Sequence, residues 1–214
     1  MTHAVSGSVF IQWAYDSPSM TSRYMAPIFD FLEFPVLETT RLRLRQLRHE
    51  DAPALSELFS SPDVLRFLSQ PPLDTHDKAI GLIDWFNGAF DKHEGIQWAL
   101  TLQGEDQCIG TCGLYDWERE HHYLDIGYHL LPAYWGKGYT TEACKAMIAW
   151  SFEHMDLHRI QADCTDGNIA SERVLTKCGF KLEGIWRQKY WEHGRFVDNK
   201  QFGLLRSEFE ALQR

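Results

Sequence analysis

Residues 134–143 read Tyr-Trp-Gly-Lys-Gly-Tyr-Thr-Thr-Glu-Ala. A strand-like stretch precedes them and a helix-like stretch follows, so two glycines fall where a helix opens. That combination suits an anion. Glycine lets the backbone approach a phosphate closely. The first amides of a helix have no partner within it and point outward. The helix dipole places partial positive charge at the same end. The stretch predicts a cradle for a phosphate-bearing cofactor.

The elements that must position this cradle are legible from period and punctuation. Arg41–Leu47 alternates strictly, as a strand with one buried face does. Asp51 and Pro53 start a helix through Leu55 and Leu58. A second helix spans about Lys78–Phe90, with Ile80, Ile83, Phe86 and Phe90 on one stripe. Strands follow over Ile96–Leu102, Cys108–Trp117 and Tyr123–Leu131. The helix after the glycines carries Ala143, Met147 and Trp150 on one row and Cys144, Ile148 and Phe152 on the next. Arg159–Cys164 is a strand with Ile160, Ala162 and Cys164 inward. Asn168–Cys178 is a short helix stopping at Gly179. Two last strands, about Gly184–Trp191 and Phe196–Leu205, join through His193-Gly194. Strands mixed with helices in this order give an α/β or α+β domain.

The chain has 214 residues, 44% of them hydrophobic, and a formal net charge of -9. That describes one globular domain with an extension. The acidic balance argues against nucleic acid, which needs clustered Lys and Arg, and suits a cationic substrate. No apolar run is long enough for a bilayer, so no membrane role is expected. The N-terminus lacks the basic-then-apolar pattern of a secretion signal, and a cytoplasmic location is the expectation. Cys108, Cys112, Cys144, Cys164 and Cys178 are scattered and odd in number. They read as reduced core residues. Residues 1–36 contain Phe10, Ile11, Trp13, Tyr15, Tyr24, Phe29, Phe31, Leu32 and Phe34 without a clear period, and read as an arm packed on the domain or on a partner subunit. Residues 37–214 form the domain.

Spacing narrows the cofactor. A Walker loop needs G-x-x-x-x-G-K-[ST]. Here Gly138 follows Lys137, and Leu131 stands where the first glycine belongs. A dinucleotide fingerprint needs G-x-G-x-x-G. Gly136 and Gly138 fit, but Thr141 takes the third place. Spacing excludes the first and weakens the second; coenzyme A is a third class that uses such a loop. A nucleotide-dependent oxidoreductase and a non-catalytic CoA-sensing module stay as alternative readings.

Several stretches, in order, resemble the GNAT superfamily of N-acetyltransferases and its RimJ/RimL-like branch over about Leu37–Phe209. They are Leu37-Glu38-Thr39-Thr40-Arg41-Leu42, Asp125-Ile126-Gly127-Tyr128, the Trp135–Ala143 loop, Asn168-x-x-Ser171 to Lys177-Cys178-Gly179-Phe180, and Gly194-Arg195-Phe196-Val197-Asp198. The resemblance implies an acyl-CoA N-acyltransferase fold, with a mixed, mostly antiparallel sheet flanked by helices. It implies acetyl-CoA as cosubstrate, no metal, and a primary amine as acceptor, on a protein N-terminus or a small molecule. A homodimer is compatible with it.

The family's pyrophosphate signature maps to Trp135, Gly138 and Thr140. Trp135 stands where Gln or Arg is usual. Thr140 is larger than the usual small residue, and either crowds the cofactor or donates its hydroxyl to a phosphate; donation is the preferred reading. The resemblance gives cofactor contacts to Gly136, Lys137, Gly138, Tyr139, Thr140 and Thr141, to the backbone near Leu130, and to Asn168. Asn168 also suits a plain helix cap.

An acetyl thioester attacked by an amine needs a base, because amine pKa values lie at about 7.7–10.4. It also needs an oxyanion donor. Asp125 is the candidate base, with Glu118 and Glu120 as rivals. Strand parity objects to Asp125, which shares a face with Gly127 and His129 rather than with Ile126 and Tyr128. A β-bulge would alter that count. The family's usual acid, a tyrosine, falls at Leu175. The resemblance to the RimJ/RimL-like branch suggests Ser171 as the substitute acid, which also suits a plain first-turn helix serine, and Tyr128 is an outside candidate. Asp116, Glu118 and Glu120 could draw in a cationic acceptor, with Trp117, Trp186 and Trp191 lining its pocket. His154 and His158 lack zinc-site spacing.

Overall fold

A computed structural model describes residues 30–68 and 70–214. Most of the aromatic N-terminal stretch, residues 1–29, lies outside the described residues. Of the rest, Phe31 is buried against Phe90, His93 and Trp117. Phe34 packs on Phe90 and Trp98.

The chain runs β1 (Leu37–Glu38), β2 (Leu42–Gln46), α1 (Ala52–Leu58), α2 (Pro62–Leu65), α3 (His76–Asp91), β3 (Ile96–Leu102), β4 (Cys108–Glu118) and β5 (Tyr123–Leu130). It continues through α4 (Tyr139–His154), β6 (Arg159–Thr165), α5 (Ile169–Lys177), β7 (Lys181–Glu192), β8 (Arg195–Leu205) and α6 (Arg206–Leu212). The sequence does not announce β1, α2 or α6. Two residues are too few to show a period, and α2 is one turn opened by Pro62. In α6 the Glu208 carboxylate accepts the Leu205 amide at 3.1 Å, so the strand turns into a helix without a glycine or proline to mark it.

One eight-stranded sheet has the order β1-β2-β3-β4-β5-β6-β8-β7. All neighbours are antiparallel except β5 and β6. Apolar side chains fill both faces. On one face Ala143, Cys144, Met147, Ile148 and Phe152 of α4 meet Leu42, Leu44, Trp98 and Leu100. On the other, Leu55 and Leu58 of α1 and Ala79 and Ile83 of α3 meet Leu47, Ala99 and Cys108. Each fully buried large side chain contributes roughly 1.5–3 kcal/mol. All five cysteines are buried free thiols within these layers.

The β2 strand departs from its alternation at one place. Arg45, expected on the solvent face, is 3% exposed beneath α1. Asp51 receives two hydrogen bonds from its guanidinium, at 2.7 and 2.8 Å, and Asp106 receives a third at 2.7 Å. These contacts replace the water the charge gave up. Losing one partner of such a buried pair costs about 3–5 kcal/mol.

The important irregularity lies between β5 and β6. They pair at Tyr123↔Arg159, Leu124↔Ile160 and Asp125↔Gln161. Beyond Asp125, β5 runs on to Leu130 and β6 to Thr165 without pairing to each other. The sheet opens there.

Candidate active site

The opening leads into a cleft of about 760 Å³. Five consecutive residues, Ile126 to Leu130, line it. In a paired strand consecutive side chains alternate between faces, so a cleft on one face could use only every second residue. Here the cleft passes through the sheet and meets both parities. The parity rule thus lapses beyond Asp125, but Asp125 itself is still paired on both sides, to Tyr115 and to Gln161. The extra residue that a bulge would supply is on β4 instead, where Asp116 has φ +50° and the register slips between Tyr115 and Glu118.

Backbone register shows what the opened edge offers. The Leu131 amide donates to Ile109 O, which marks that pair as a hydrogen-bonded position. Alternation along an antiparallel ladder turns the amides and carbonyls of Ile126, Tyr128 and Leu130 to the opposite edge, toward the cleft. Two of those carbonyls are taken by side chains. Tyr115 Oη donates to Ile126 O at 2.8 Å, and Trp135 Nε1 donates to Leu130 O at 2.7 Å. Tyr115 reaches its carbonyl by crossing Gly127, where a Cβ would meet the phenol oxygen at 2.9 Å. Trp135 thereby has a structural role at the strand's end that the sequence left open.

One wall of the cleft is the glycine turn. Gly136 and Gly138 have φ +74° and +82°, and Gly138 caps α4. The first intrahelical bond is Glu142 N to Gly138 O, so the amides of Tyr139, Thr140 and Thr141 have no partner inside the helix. Gly136, Gly138, Tyr139, Thr140 and Thr141 all line the cleft. Lys137 does not. Its ammonium donates to Ala133 O at 2.9 Å.

The start of α5 faces this turn. Asn168 accepts the Ser171 amide at 3.2 Å, so it is a helix cap that also lines the cleft. Ser171 Oγ lies 2.8 Å from Tyr128 Oη. Burial holds the Tyr128 phenol well above its ordinary pKa, although its bond to Ser171 pulls the other way. Arg173 and Lys177 continue the same wall. Leu175, at the position of the family's usual tyrosine, is buried in the core and offers no acid.

The other wall comes from distant segments. Asp63, Arg66 and Phe67 flank it near α2, Tyr115 stands on β4, Asp163 on β6, and Tyr190 and Glu192 on β7. Asp163 accepts from Asn199 Nδ2 at 2.6 Å and from Tyr190 Oη at 3.4 Å. The β7–β8 turn reaches α2 through a 3.1 Å contact between His193 Nε2 and Leu65 O. His129 lines the cleft against Phe59, and burial pushes its pKa down to about 4, so it is neutral at pH 7.

Asp125 sits at the last paired position, one residue before the opening, and is not among the lining residues. Gln161 Nε2 donates to its carboxylate at 3.0 Å. Burial raises its pKa to about 6 against that bond, with Asp116 and Asp163 adding to the rise. Glu118 and Glu120 lie at the β4–β5 turn, outside the cleft wall, and so does Asp116. The three tryptophans expected in the pocket are elsewhere. Trp117 stacks on Phe31, while Trp186 and Trp191 are exposed on β7. The cleft's aromatic residues are Phe67, Tyr115, Tyr128, Tyr134, Trp135, Tyr139 and Tyr190.

Comparison with known proteins gives the same architecture a lineage. Residues 41–181 match the family model described as an acetyltransferase (GNAT) domain. The chain is 32% identical over 173 residues to the uncharacterized N-acetyltransferase YoaA of Bacillus subtilis, covering 81% of this chain and 98% of that one. A GNAT-family acetyltransferase structure from Bacillus anthracis superposes with a TM-score of 0.72 at 26% identity, over 80% of this chain and 98% of that one. RimL, a ribosomal L7/L12 alpha-N-protein acetyltransferase solved with coenzyme A, has the same fold, with a TM-score of 0.74 at 19% identity over 80% and 98% of the two chains.

Proposed function

The chain belongs to the GNAT acetyltransferase family and is an N-acetyltransferase; from that premise we propose that it moves the acetyl group of acetyl-CoA directly to a primary amine in a ternary complex. The acceptor is an amine that arrives as a cation, on a protein N-terminus or a small molecule. The observation that carries this reading is the opening of the sheet beyond Asp125. It joins an anion-binding turn on one side to a wall of carboxylates and phenols on the other.

The donor wall fits the cosubstrate. The free amides of Tyr139, Thr140 and Thr141, with the glycine turn before them, would hold the pyrophosphate. The Thr140 and Thr141 hydroxyls add donors. Arg173 and Lys177 supply positive charge along the same groove. Asn168 and the backbone edge near Leu130 would hold the pantetheine arm. When bound, acetyl-CoA supplies an activated thioester.

The chain's own residues do the rest. The Tyr128 amide, on the opened edge, would donate to the acyl oxygen as it gains charge, while the Leu130 amide, two residues on, serves the pantetheine arm. Neutral His129 adds no repulsion for an incoming ammonium. Asp163 attracts it. Asp125, ionised at neutral pH yet more basic than a surface aspartate, takes the amine's proton through an intervening water. The neutral Tyr128 phenol and Ser171 hydroxyl form a pair from which Ser171 protonates the leaving thiolate; water returns a proton to Ser171, and Asp125 releases to solvent the one it took. Holding both reactants in one passage contributes at least as much, since effective molarities reach roughly 10⁵–10⁸ M.

Thiol release from acetyl-CoA, measured against peptides, polyamines, amino acids and aminoglycosides, tests the proposal. Release above the amine-free rate with at least one class is expected. Binding of acetyl-CoA with no release for any class would support a non-catalytic module instead.

A further inference from the structure

The glycine turn does not stand alone. Arg41, between β1 and β2, reaches it from behind and is not itself a residue of the cleft wall. Its Nη1 donates to Lys137 O at 2.9 Å. Its Nε donates to Glu142 Oε2 at 2.7 Å, Nη2 lies 2.6 Å from the same oxygen, and its backbone amide donates to Oε1 at 2.9 Å. Thr39 Oγ1 donates to Glu142 Oε1 at 2.6 Å. The guanidinium also lies 4.6 Å from the centre of the Tyr139 ring. The Thr39-Thr40-Arg41 stretch therefore grips the turn and the first turn of α4 together.

Two consequences follow from elementary geometry and charge. Lys137 O and the Gly138 amide belong to one planar trans peptide, in which C=O and N–H point opposite ways. A guanidinium holding the carbonyl from behind fixes the amide's direction at the front, and polarises it as a donor. Glu142, meanwhile, lies on the helix end that offers its amides to an anion. Burial works against its charge, yet bonds from Thr39 and Arg41 hold its carboxyl below the ordinary range. It is thus an anion close to where another would bind, and Arg41 neutralises it.

We propose that Arg41 is a positioning residue for the acetyl donor, acting through the Lys137–Gly138 peptide and Glu142 rather than by touching the cofactor. The inference rests on the donor reading above. It assigns a purpose to a stretch that no step of the chemistry uses.

The test compares acetyl-CoA with S-acetylpantetheine, which lacks the pyrophosphate. Binding is followed by the fluorescence of Trp135 and its neighbours, and turnover by thiol release. Arg41→Met should weaken acetyl-CoA binding and raise its KM by about tenfold or more. It should leave kcat at saturation, and kcat/KM for S-acetylpantetheine, within about twofold. Arg41→Lys keeps the charge but loses the fork that spans Lys137 O and Glu142, and should fall between. Adding Glu142→Gln to Arg41→Met should recover part of the lost affinity. Equal losses with both donors, or none with acetyl-CoA in either single variant, would overturn the assignment. Failure of the unmutated protein to bind acetyl-CoA would overturn the donor reading itself, and shows before any variant is made.

Discussion

The two ends of the cleft are built by different means. The donor end is mostly backbone. Its turn is a contiguous run, 136–141, whose donors are amides freed by two positive-φ glycines and a helix start. The acceptor end is side chains, drawn from α2, β4, β6 and β7, with Asp63 and Glu192 at the extremes of the sequence span. Charge separates them too. Arg173 and Lys177 flank the donor groove, whereas Asp63, Asp163 and Glu192 outnumber Arg66 and Lys189, the latter 3.8 Å from Asp163, at the acceptor end. Outside its two glycines, a backbone site depends little on side-chain identity, because the amides stay in place. A side-chain site can be rewritten one residue at a time. This contrast accounts for a firm reading of the donor and a class-level reading of the acceptor.

The contrast can be broken most directly at Gly138. Its φ of +82° strains any L side chain, and Arg41 Nη2 lies 3.5 Å from where a Cβ would sit. Gly138→Trp should weaken acetyl-CoA binding by about 100-fold or more, with the far-ultraviolet dichroism unchanged. Unaltered affinity in calorimetry would remove the donor site from this turn.

Next in size is Asp125→Asn, expected to lower kcat/KM about 100-fold at pH 7.5 and to erase an acidic limb near pH 6. A rate that keeps its pH profile would make Asp125 structural. Stability should move the other way. The folded pKa, about 6, lies above the usual value of 3.8. Protonation is therefore favoured by the fold, and the stability it brings is full below about pH 4 and lost as pH rises through 6. Asparagine, which carries no charge, should raise the melting temperature at pH 7 and make little difference at pH 4.

Ser171→Ala should cost about tenfold in kcat with the KM for acetyl-CoA preserved. A matching rise in that KM would recast Ser171 as a binding residue. The smallest change is expected from Asp163→Asn. The KM for a cationic amine should rise by about three- to tenfold at low salt, with the difference shrinking as ionic strength grows. Sensitivity to an uncharged amine of similar size would argue against an electrostatic role.

Much of the framework was legible because its rules are local. The span 96–102 coincides with β3, and the helices begin and end where Pro53, Asn168 and Gly179 punctuate them. Asn168 caps as its type suggests. The aromatic pocket was not legible. Trp117, Trp186 and Trp191 have the right chemistry, but Phe67 and Tyr190 have the right place, and place depends on the β7–β8 turn meeting α2. Trp135 looked like a departure from a phosphate motif, and its indole instead holds the end of β5. Arg41 looked like one of several alternating arginines. Arg45, four residues on and of the same parity, is locked in the core while Arg41 braces the turn, and no spacing distinguishes them.

By itself the sequence determined the donor turn, since two glycines before a helix bring their own backbone geometry and freed amides with them. Only the tertiary structure decided where the sheet parts. A strand's side chains alternate strictly while its edges are paired, and whether β5 stays paired past Asp125 depends on where β6, itself paired along Arg159–Thr165 to β8, runs. That separation, made by residues far apart in the chain, lets neighbours such as Gly127 and Tyr128 face one passage and brings a donor and an acceptor to the same opening.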